Sequence, residues 1–201
     1  DNKMLFTKPF VTVARQPGSW GRPIAAKVAE KLNFRFLDEE IIDDIAESTK
    51  KRRAIIQAVD ERSRGRIEDF VHSILNKEYV DDYTYIKELT KVILAHIYQG
   101  NVVIVGRGAN FISPFEKGLH VNVVAPDELR TQRTMDFDKL TRQQAERQNR
   151  KITESREAFI HQYFRKDATR CVNFDFSLNT QSFSVDEAAD LIIEAFYKKF
   201  P

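Results

Sequence analysis

The feature that most limits how this chain can fold is a glycine-containing loop between an apolar run and a helical pattern, in residues 10–27. The run of Phe10, Val11 and Val13 is typical of a buried strand, and Pro23 suits the first turn of a helix. A short loop that leaves a strand and opens a helix points backbone N–H groups into one concavity, at the positive end of the helix dipole. The stretch therefore predicts either an anion site or an ordinary strand-to-helix turn.

The loop departs from the general phosphate-loop motif, G-x-x-x-x-G-K-[ST]. Arg22 stands in place of the motif's lysine, and Pro23 in place of the hydroxyl residue that ligates magnesium. Gly18 and Gly21 nevertheless allow a phosphate to approach the backbone closely, and Arg15 or Arg22 can supply positive charge. Phosphate binding is therefore a hypothesis that needs support from the rest of the chain.

The composition excludes several classes of protein. The chain has 201 residues, one cysteine, four scattered histidines and a formal net charge of +2. A single cysteine rules out an internal disulfide framework and a cysteine-based zinc cluster. The basic run at 50–66 has no recognition motif and no interleaved aromatic residues, so we expect no nucleic-acid partner. No stretch reaches the roughly 18–20 apolar residues of a membrane span, and we expect a cytoplasmic protein that does not contact membranes.

Five apolar runs, most of them separated by helical patterns, predict a three-layer α/β fold with a mainly parallel five-stranded sheet. The predicted strands are 10–13, 34–37, 102–105, 119–124 and 174–178. The predicted helices are 22–33, 39–47, 83–98, one that begins at 126, one around 156–166, and one that begins after the capping-box pattern at 184–187. Segment 50–79 is rich in charge, and its pattern indicates helices only around 55–59 and 67–75.

Charged residues follow two of the predicted strands, at the edge where open parallel sheets bind ligands. Asp38 and Glu39 follow the second strand and are expected near the glycine-containing loop, and Arg107 lies in a Gly-Arg-Gly string after the third. Asp38 has an alternative interpretation, because an aspartate immediately before a helix is a preferred N-cap. The residues alone favour the cap slightly and leave both interpretations open.

Three groups of segments, in this order, resemble the cytidylate kinase-like family, relatives of bacterial cytidylate kinase among the nucleoside monophosphate kinases. They are residues 11–42, residues 102–112, and residues 121–133 together with 177–193. Members of the family carry an R-Q/E-x-G-S-x-G-R string in place of the usual phosphate loop. RQPGSWGR at 15–22 fits this string, with Trp20 where the family often has glycine, which narrows the freedom of the loop.

The resemblance implies a single P-loop kinase-like domain over 1–201. Its core would be 8–49 and 83–201, with a helical substrate-side insertion at 50–82 and a short lid at about 148–170. It also implies transfer of the γ-phosphoryl group of ATP, with Mg²⁺, to a nucleoside monophosphate, and CMP or dCMP is the acceptor that the best-understood relatives suggest.

The resemblance also assigns roles to individual residues. The catalytic candidates are Arg22, Arg150, Arg156, Arg165 and Arg170. The candidates for phosphate and ATP binding are Arg15, Gly18, Ser19, Gly21, Arg22 and Arg133. The acceptor candidates are Asp38 and Arg107, and Asp38 is also the candidate Mg²⁺ ligand, through water. Gly108 stands where cytidylate kinases have an aspartate.

Two functional hypotheses remain open. The first is an active kinase, a nucleoside monophosphate kinase with nucleotide substrates. The second is a kinase-like protein that binds nucleotide or another phosphate-bearing ligand as a sensor, with little or no transfer, and the altered loop motivates it. The arginine-rich lid favours the first, because a binding protein has less need of arginines around a migrating phosphoryl group. The oligomeric state does not follow from the sequence.

Overall fold

The computed structural model describes residues 5–75 and 82–201, which are organised around one five-stranded sheet. All of its strand pairs are parallel, and the strand order is β2-β3-β1-β4-β5. The strands are β1 (Phe10–Arg15), β2 (Arg35–Leu37), β3 (Val102–Val105), β4 (Gly118–Val124) and β5 (Phe176–Asn179). The predicted three-layer α/β fold with a five-stranded parallel sheet is confirmed.

Helices cover both faces of the sheet. They are α1 (Gly21–Leu32), α2 (Glu39–Glu47), α3 (Thr49–Gln57), α4 (Glu61–Ile74), α5 (Tyr83–Gln99), α6 (Ala109–Ile112), α7 (Asp127–Asp138), α8 (Arg142–Phe164) and α9 (Val185–Lys199). One apolar core lies between the sheet and the pair α1 and α9. The other core joins the sheet to α2, α4, α5, α6 and the end of α8. Within the described ranges, no helix is both long enough and apolar enough to span a bilayer.

Side-chain caps fix the starts of several helices. The Asp38 carboxylate accepts a hydrogen bond from the Ile41 N–H at 2.9 Å, so the predicted cap of α2 is confirmed. Ser184 and Glu187 form the predicted capping box of α9. Capping boxes satisfy N–H groups that a helix leaves unpaired in its first turn, which is why such patterns locate helix starts well.

The largest difference from the predicted elements is α8, which begins at Arg142 rather than near 156. Its first half buries little more than Ala145 and Asn149, so no apolar period marks it in the sequence. A capping box of Thr141 and Gln144 begins the helix, and packing against α7 supports it. In segment 50–79 the helices α3 and α4 cover more residues than predicted, and residues 76–79 lie outside the described part of the chain.

Candidate functional site

The loop between β1 and α1 is tied to the end of β4. The Gln16 N–H donates to the Val123 carbonyl oxygen at 3.0 Å, and the Gln16 side-chain oxygen accepts from the Ala125 N–H at 3.1 Å. Gly18 has φ +73°, and a Cβ there would lie 2.5 Å from the Arg130 carbonyl oxygen, so only glycine fits. The loop is therefore held in one conformation by contacts on both sides.

Trp20, the N-cap of α1, also has a left-handed backbone, with φ +69°. That conformation costs a non-glycine residue roughly 1–2 kcal/mol. The guanidinium carbon of Arg133 lies 3.5 Å from the centre of the indole, a cation–π contact of about 0.5–2 kcal/mol that offsets much of this cost. Arg133 also donates to Thr180 Oγ1 at 2.9 Å and to the Thr180 carbonyl oxygen at 3.1 Å.

The start of α1 presents unpaired backbone donors. Among the described residues, the N–H groups of Trp20, Gly21 and Arg22 have no protein acceptor, and no side chain caps the helix. Unpaired N–H groups at a helix N-terminus, together with the helix dipole, are the geometry that binds phosphate. Ser19 lies inside the loop, where its buried hydroxyl donates to the Gln16 carbonyl oxygen at 2.7 Å.

Arg22 points from α1 toward the start of α2. Its Nε and Nη2 atoms donate to Asp38 Oδ2 at 2.9 and 2.6 Å, while Asp38 Oδ1 accepts from the backbone as the cap of α2. The Asp38 side chain is 4 % exposed and that of Arg22 is 62 % exposed.

The residues around Asp38 do not fit direct coordination of Mg²⁺. Both carboxylate oxygens already have donors, one of them a cation, and Pro23 offers no hydroxyl. Within residues 5–75 and 82–201, no group of three His, Cys, Asp or Glu side chains is placed to hold a metal. The water-mediated contact predicted for Asp38 stays a prediction, and we derive no chemical step through the ion.

Three arginines surround Glu39 at the carboxyl ends of β1 and β3. Arg15 Nη2 lies 2.7 Å from Glu39 Oε1, Arg156 Nη2 lies 3.4 Å from the same oxygen, and Arg107 Nη1 lies 3.9 Å from Oε2. Burial acts to raise the pKa of Glu39, but the positive charges, Arg15 above all, outweigh it and hold the pKa below its ordinary value. We call Arg15, Glu39, Arg107 and Arg156 the arginine cluster.

Arg107 is oriented by a second acid, Asp43. Its Nε donates to Asp43 Oδ1 at 2.8 Å and its Nη2 donates to Oδ2, while its guanidinium carbon lies 5.2 Å from the centre of the Phe159 ring. The Tyr85 hydroxyl lies 3.4 Å from Asp43 Oδ1, and burial, with the Asp43 charge, raises the pKa of Tyr85 to about 12. Tyr85 is therefore a neutral hydrogen-bond donor to Asp43.

Arg156 connects α8 to the loop. Its Nη1 donates to the Arg15 carbonyl oxygen at 3.2 Å. Burial, with the neighbouring charge of Arg15, lowers the pKa of Arg156 to about 10, which still leaves it protonated near neutral pH. Among residues 5–75 and 82–201, Glu39 is the one acid that pairs with Arg156. A cation of this kind, partly shielded from water, is well suited to an anionic ligand.

Two cavities flank the arginine cluster and share its residues Arg15, Glu39 and Arg156. The first, of about 330 Å³, lies between α6, α8 and the ends of β1, β4 and β5. Its further lining includes Arg107, Asn110, Phe111, Asn122, Phe159 and Phe174. The second, of about 380 Å³, lies over the loop and beneath α7 and α8. Its further lining includes Trp20, Arg22, Asp38, Arg133, Phe137 and Asn149.

The sequence profile of the cytidylate kinase-like family matches residues 10–182, which takes in the loop, the arginine cluster and α8. The chain belongs to the cytidylate kinase-like family. Its fold is that of the P-loop kinases, and we refer to residues 15–22 as the phosphate loop.

Two solved structures show how widely the fold is shared. A crystal structure of an uncharacterized protein from Eubacterium ventriosum has a TM-score of 0.74 at 20% identity, over 96% of this chain and 99% of that one. Shikimate kinase from Acinetobacter baumannii, in complex with shikimate, has a TM-score of 0.51 at 17% identity, over 100% and 99% of the two chains. At these identities the likeness concerns the fold alone.

A curated relative by sequence is uronate isomerase from Corynebacterium glutamicum. It is 28% identical over 115 residues, which is 57% of this chain and 22% of that protein. The chain thus spans less than a quarter of the length of this relative.

The structure brings together some of the residues that family resemblance suggests and separates others. The loop residues, Arg22, Asp38, Arg107, Arg133 and Arg156 all lie at the two cavities or beneath them. Arg150, Arg165 and Arg170 line neither cavity. Arg150 is exposed on α8, and Arg165 ends that helix with φ +54°. Gly108, with φ +68°, lies where a Cβ would meet the Phe164 ring at 2.5 Å, so the end of α8 packs directly on it.

Two acids of the site, Glu39 and Asp43, were given no role from the sequence, although Glu39 was expected at the edge of the sheet near the loop. They lie one turn apart on α2, at positions i and i+4, and so face the same direction. Their signal in the sequence was weak, because an acid in the first turn of a helix, such as Glu39, is ordinarily explained by the helix dipole, and Asp43, one turn later, belongs to no motif. Only the tertiary fold, in which α2 packs on α5, brings them to the arginines.

Proposed function

We propose that this member of the cytidylate kinase-like family transfers the γ-phosphoryl group of ATP to a nucleoside monophosphate, with CMP or dCMP as the preferred acceptor. The proposal rests on one arrangement. The N-terminus of α1, with its unpaired N–H groups, lies beside the arginine cluster. One cavity lies on each side of Arg15 and Arg156, the two cations that both cavities share. Phosphoryl transfer mainly requires that a protein hold two phosphates in fixed positions and place positive charge between them.

The donor phosphates would occupy the loop. The N–H groups of Gly21 and Arg22 would bind them, and Arg22 would exchange Asp38 for a phosphate oxygen. Arg22 is largely exposed on the ligand side of this pair, so the exchange requires movement of one long side chain and no movement of the backbone.

The acceptor would place its phosphate at Arg107 and its nucleoside in the first cavity. Arg107 is already oriented by Asp43, and the cavity offers aromatic side chains, Phe111 and Phe174, beside the amides of Asn110 and Asn122. These are the kinds of group that enclose a planar base and fix its polar edge. In the reaction, an acceptor phosphate oxygen attacks the γ-phosphorus, the bond from that phosphorus to the bridging β-phosphate oxygen breaks, and ADP leaves.

The alternative is a kinase-like protein that binds the same ligands with little or no transfer. One observation favours it: within the described part of the chain, the site's cations already have acids as partners, Glu39, Asp43 and Asp38. A phosphate-bearing ligand could then bind by displacing these acids from the cations. Because Pro23 stands where the usual motif has a magnesium-binding hydroxyl, the bound phosphates could lack the geometry that transfer requires.

An assay with ATP, Mg²⁺ and a panel of nucleoside monophosphates, with ADP quantified, separates the two functions. We expect ADP formation that depends on the acceptor and is fastest with CMP or dCMP. Background turnover with every acceptor, alongside measurable binding of ATP or CMP by calorimetry, would reject the kinase and retain the binding protein. Fast turnover with a different acceptor would reject only the cytidylate preference.

A further inference from the structure

The second cavity has an aromatic wall that phosphate binding does not use. Trp20 is 39% exposed and Phe137, on α7, is 88% exposed, and both line this cavity beside the loop. An exposed phenylalanine and an exposed tryptophan at one cavity leave a large apolar surface in water, which is typical of a site for a planar ligand.

The same wall holds polar atoms without partners. Asn149, on α8, is 6% exposed, and its side-chain oxygen accepts from Thr134 Oγ1 at 3.0 Å. Its amide nitrogen is buried and has no partner, and the same is true of Arg133 Nε, with respect to residues 5–75 and 82–201. A buried donor without an acceptor is costly, so an unpaired amide at a cavity wall indicates a ligand that supplies the acceptor.

The position of the Trp20 ring is fixed in advance of binding. Its backbone is held in the left-handed conformation, and the Arg133 guanidinium covers one face of the indole at 3.5 Å. A ligand can therefore stack only on the opposite face of the indole. Because Trp20 is also part of the phosphate loop, a ligand with phosphates in the loop has its remaining part close to this ring.

We propose that the base of the donor nucleotide stacks on the free face of Trp20, that Phe137 closes the mouth of the cavity over it, and that the Asn149 amide binds the base edge. This inference rests on the proposed function in one respect, that the phosphates of ATP occupy the loop. To the proposed function it adds the residues that would distinguish a nucleotide from an inorganic polyphosphate.

Affinities for ATP and for inorganic tripolyphosphate, measured by calorimetry, test the proposal, because tripolyphosphate has no base. In Trp20→Gly we expect ATP affinity to fall about 5- to 150-fold, the range for loss of one base–aromatic stack, and tripolyphosphate affinity to change less than twofold. Glycine keeps the left-handed conformation, so the loop is retained. Trp20→Phe keeps a ring and should recover most of the ATP affinity.

Phe137→Ala provides a second variant that cannot disturb the core, because the side chain is almost fully exposed. We expect weaker ATP binding and unchanged tripolyphosphate binding. The matched control is Tyr197→Ala, an exposed aromatic on α9 that lines neither cavity, which should bind both ligands as the parent protein does. Trp20 is the only tryptophan in the chain, so its fluorescence in the parent protein should change more with ATP than with tripolyphosphate.

The outcomes separate this inference from the proposed function. Unchanged ATP affinity in both Trp20→Gly and Phe137→Ala, in a protein that still transfers phosphate, would overturn only the base site. Selective loss of ATP affinity in a protein without transfer would support the base site and reject the kinase. If neither ATP nor tripolyphosphate binds the parent protein, both proposals fail.

Discussion

Arg22 and Asp38 join the start of α1 to the start of α2. Two nitrogens of the guanidinium donate to one carboxylate oxygen at 2.9 and 2.6 Å, and the other oxygen caps α2. One aspartate thus holds both Arg22 and the helix that carries Glu39 and Asp43. We therefore expect a phosphate that enters the loop to compete with Asp38 for Arg22.

Replacing Asp38 with asparagine should raise the affinity for tripolyphosphate about twofold to fivefold, because Arg22 loses its competitor. Asp38 is buried, but the Arg22 guanidinium is largely exposed, and solvent screening limits the ion pair to about 1 kcal/mol. Asparagine caps helices as well as aspartate does, so the melting temperature should change little. Asp38→Ala should release Arg22 equally but lose the cap, at about 1 kcal/mol of stability. Calorimetry and thermal unfolding measure the two effects, and weaker tripolyphosphate binding in Asp38→Asn would show that Asp38 itself serves the ligand.

Arg156→Ala should lower kcat about a thousandfold or more if Arg156 neutralises charge on the migrating phosphoryl group. The affinities for ATP and CMP should fall much less, because the contribution is made in the transition state. Arg150→Ala is the matched control, an arginine on the same helix that lines neither cavity. Equal losses of kcat in the two variants would remove Arg156 from the reaction.

Arg107→Ala should weaken CMP binding about 10- to 100-fold, in line with the loss of charge-assisted hydrogen bonds worth roughly 1.5–3 kcal/mol. ATP binding should change little, since Arg107 lines the first cavity and not the second. Separate titrations with CMP and with ATP measure the two affinities. An unchanged CMP titration would place the acceptor elsewhere.

Two glycine substitutions should have opposite effects on stability. Gly65→Ala lies inside α4 with nothing within 4 Å of the added Cβ, so it should stabilise the protein by about 0.5–1 kcal/mol. Gly18→Ala meets the Arg130 backbone and a positive φ, so it should destabilise the protein and weaken tripolyphosphate binding. Thermal unfolding should show a rise of roughly 1–4 °C for the first variant and a fall for the second. A stable Gly18→Ala with normal binding would contradict the loop conformation.

Two buried histidines should make the protein less stable in mild acid. Burial, together with the charge of Arg35, lowers the pKa of His96 to about 4. Burial, together with the charge of Lys199, lowers the pKa of His120 to about 4, although the charge of Asp175 opposes the shift. Between pH 6.5 and 4 the unfolded chain binds protons that the folded chain does not, so stability is complete above pH 6.5 and falls toward pH 4. The loss is of the order of 3 kcal/mol for each histidine.

Chemical unfolding across this pH range, in the parent protein and in His120→Asn, measures the contribution of His120. The slope of stability against pH should be smaller in the variant, whatever its absolute stability. His161→Asn, at an exposed position on α8, should keep the parent slope. If stability depends on pH in His120→Asn as steeply as in the parent protein, His120 does not take up a proton on unfolding.

The strands of the sheet could be predicted because short apolar runs with turn residues beside them, such as 102–105, are typical of strands that are buried on both faces. The turn from β1 into α1 could be predicted as well, since its glycines and the following helix are adjacent in sequence, while its role in phosphate binding stays a prediction. The first half of α8 could not be predicted, because a capping box and packing on α7 stabilise it and no apolar stripe marks it. The position of Glu39 near the loop was expected, but its ion pairs with the arginines, and the role of Asp43, were not, because their partners are far away in sequence.

Arg133 shows the limit of assigning roles by position. Its place after β4 suggested a contact with ATP, a role that stays a prediction. In the structure its guanidinium binds Thr180 and stacks on Trp20, so it holds the loop in place from the wall of the second cavity. No local pattern signals this, because the three residues come from separate segments and meet only through the strand order.

Glu39 has a consequence for the speed of ligand exchange. It holds Arg15 at 2.7 Å and lies within 4 Å of both other arginines of the cluster, so the cluster keeps a resident counter-ion when no ligand is bound. On the proposed function, an arriving phosphate would substitute one anion for another, and a departing product would leave behind no unpaired cations. We therefore expect the carboxylate to shorten the residence time of product and to make ligand affinity less sensitive to ionic strength than the number of arginines would suggest.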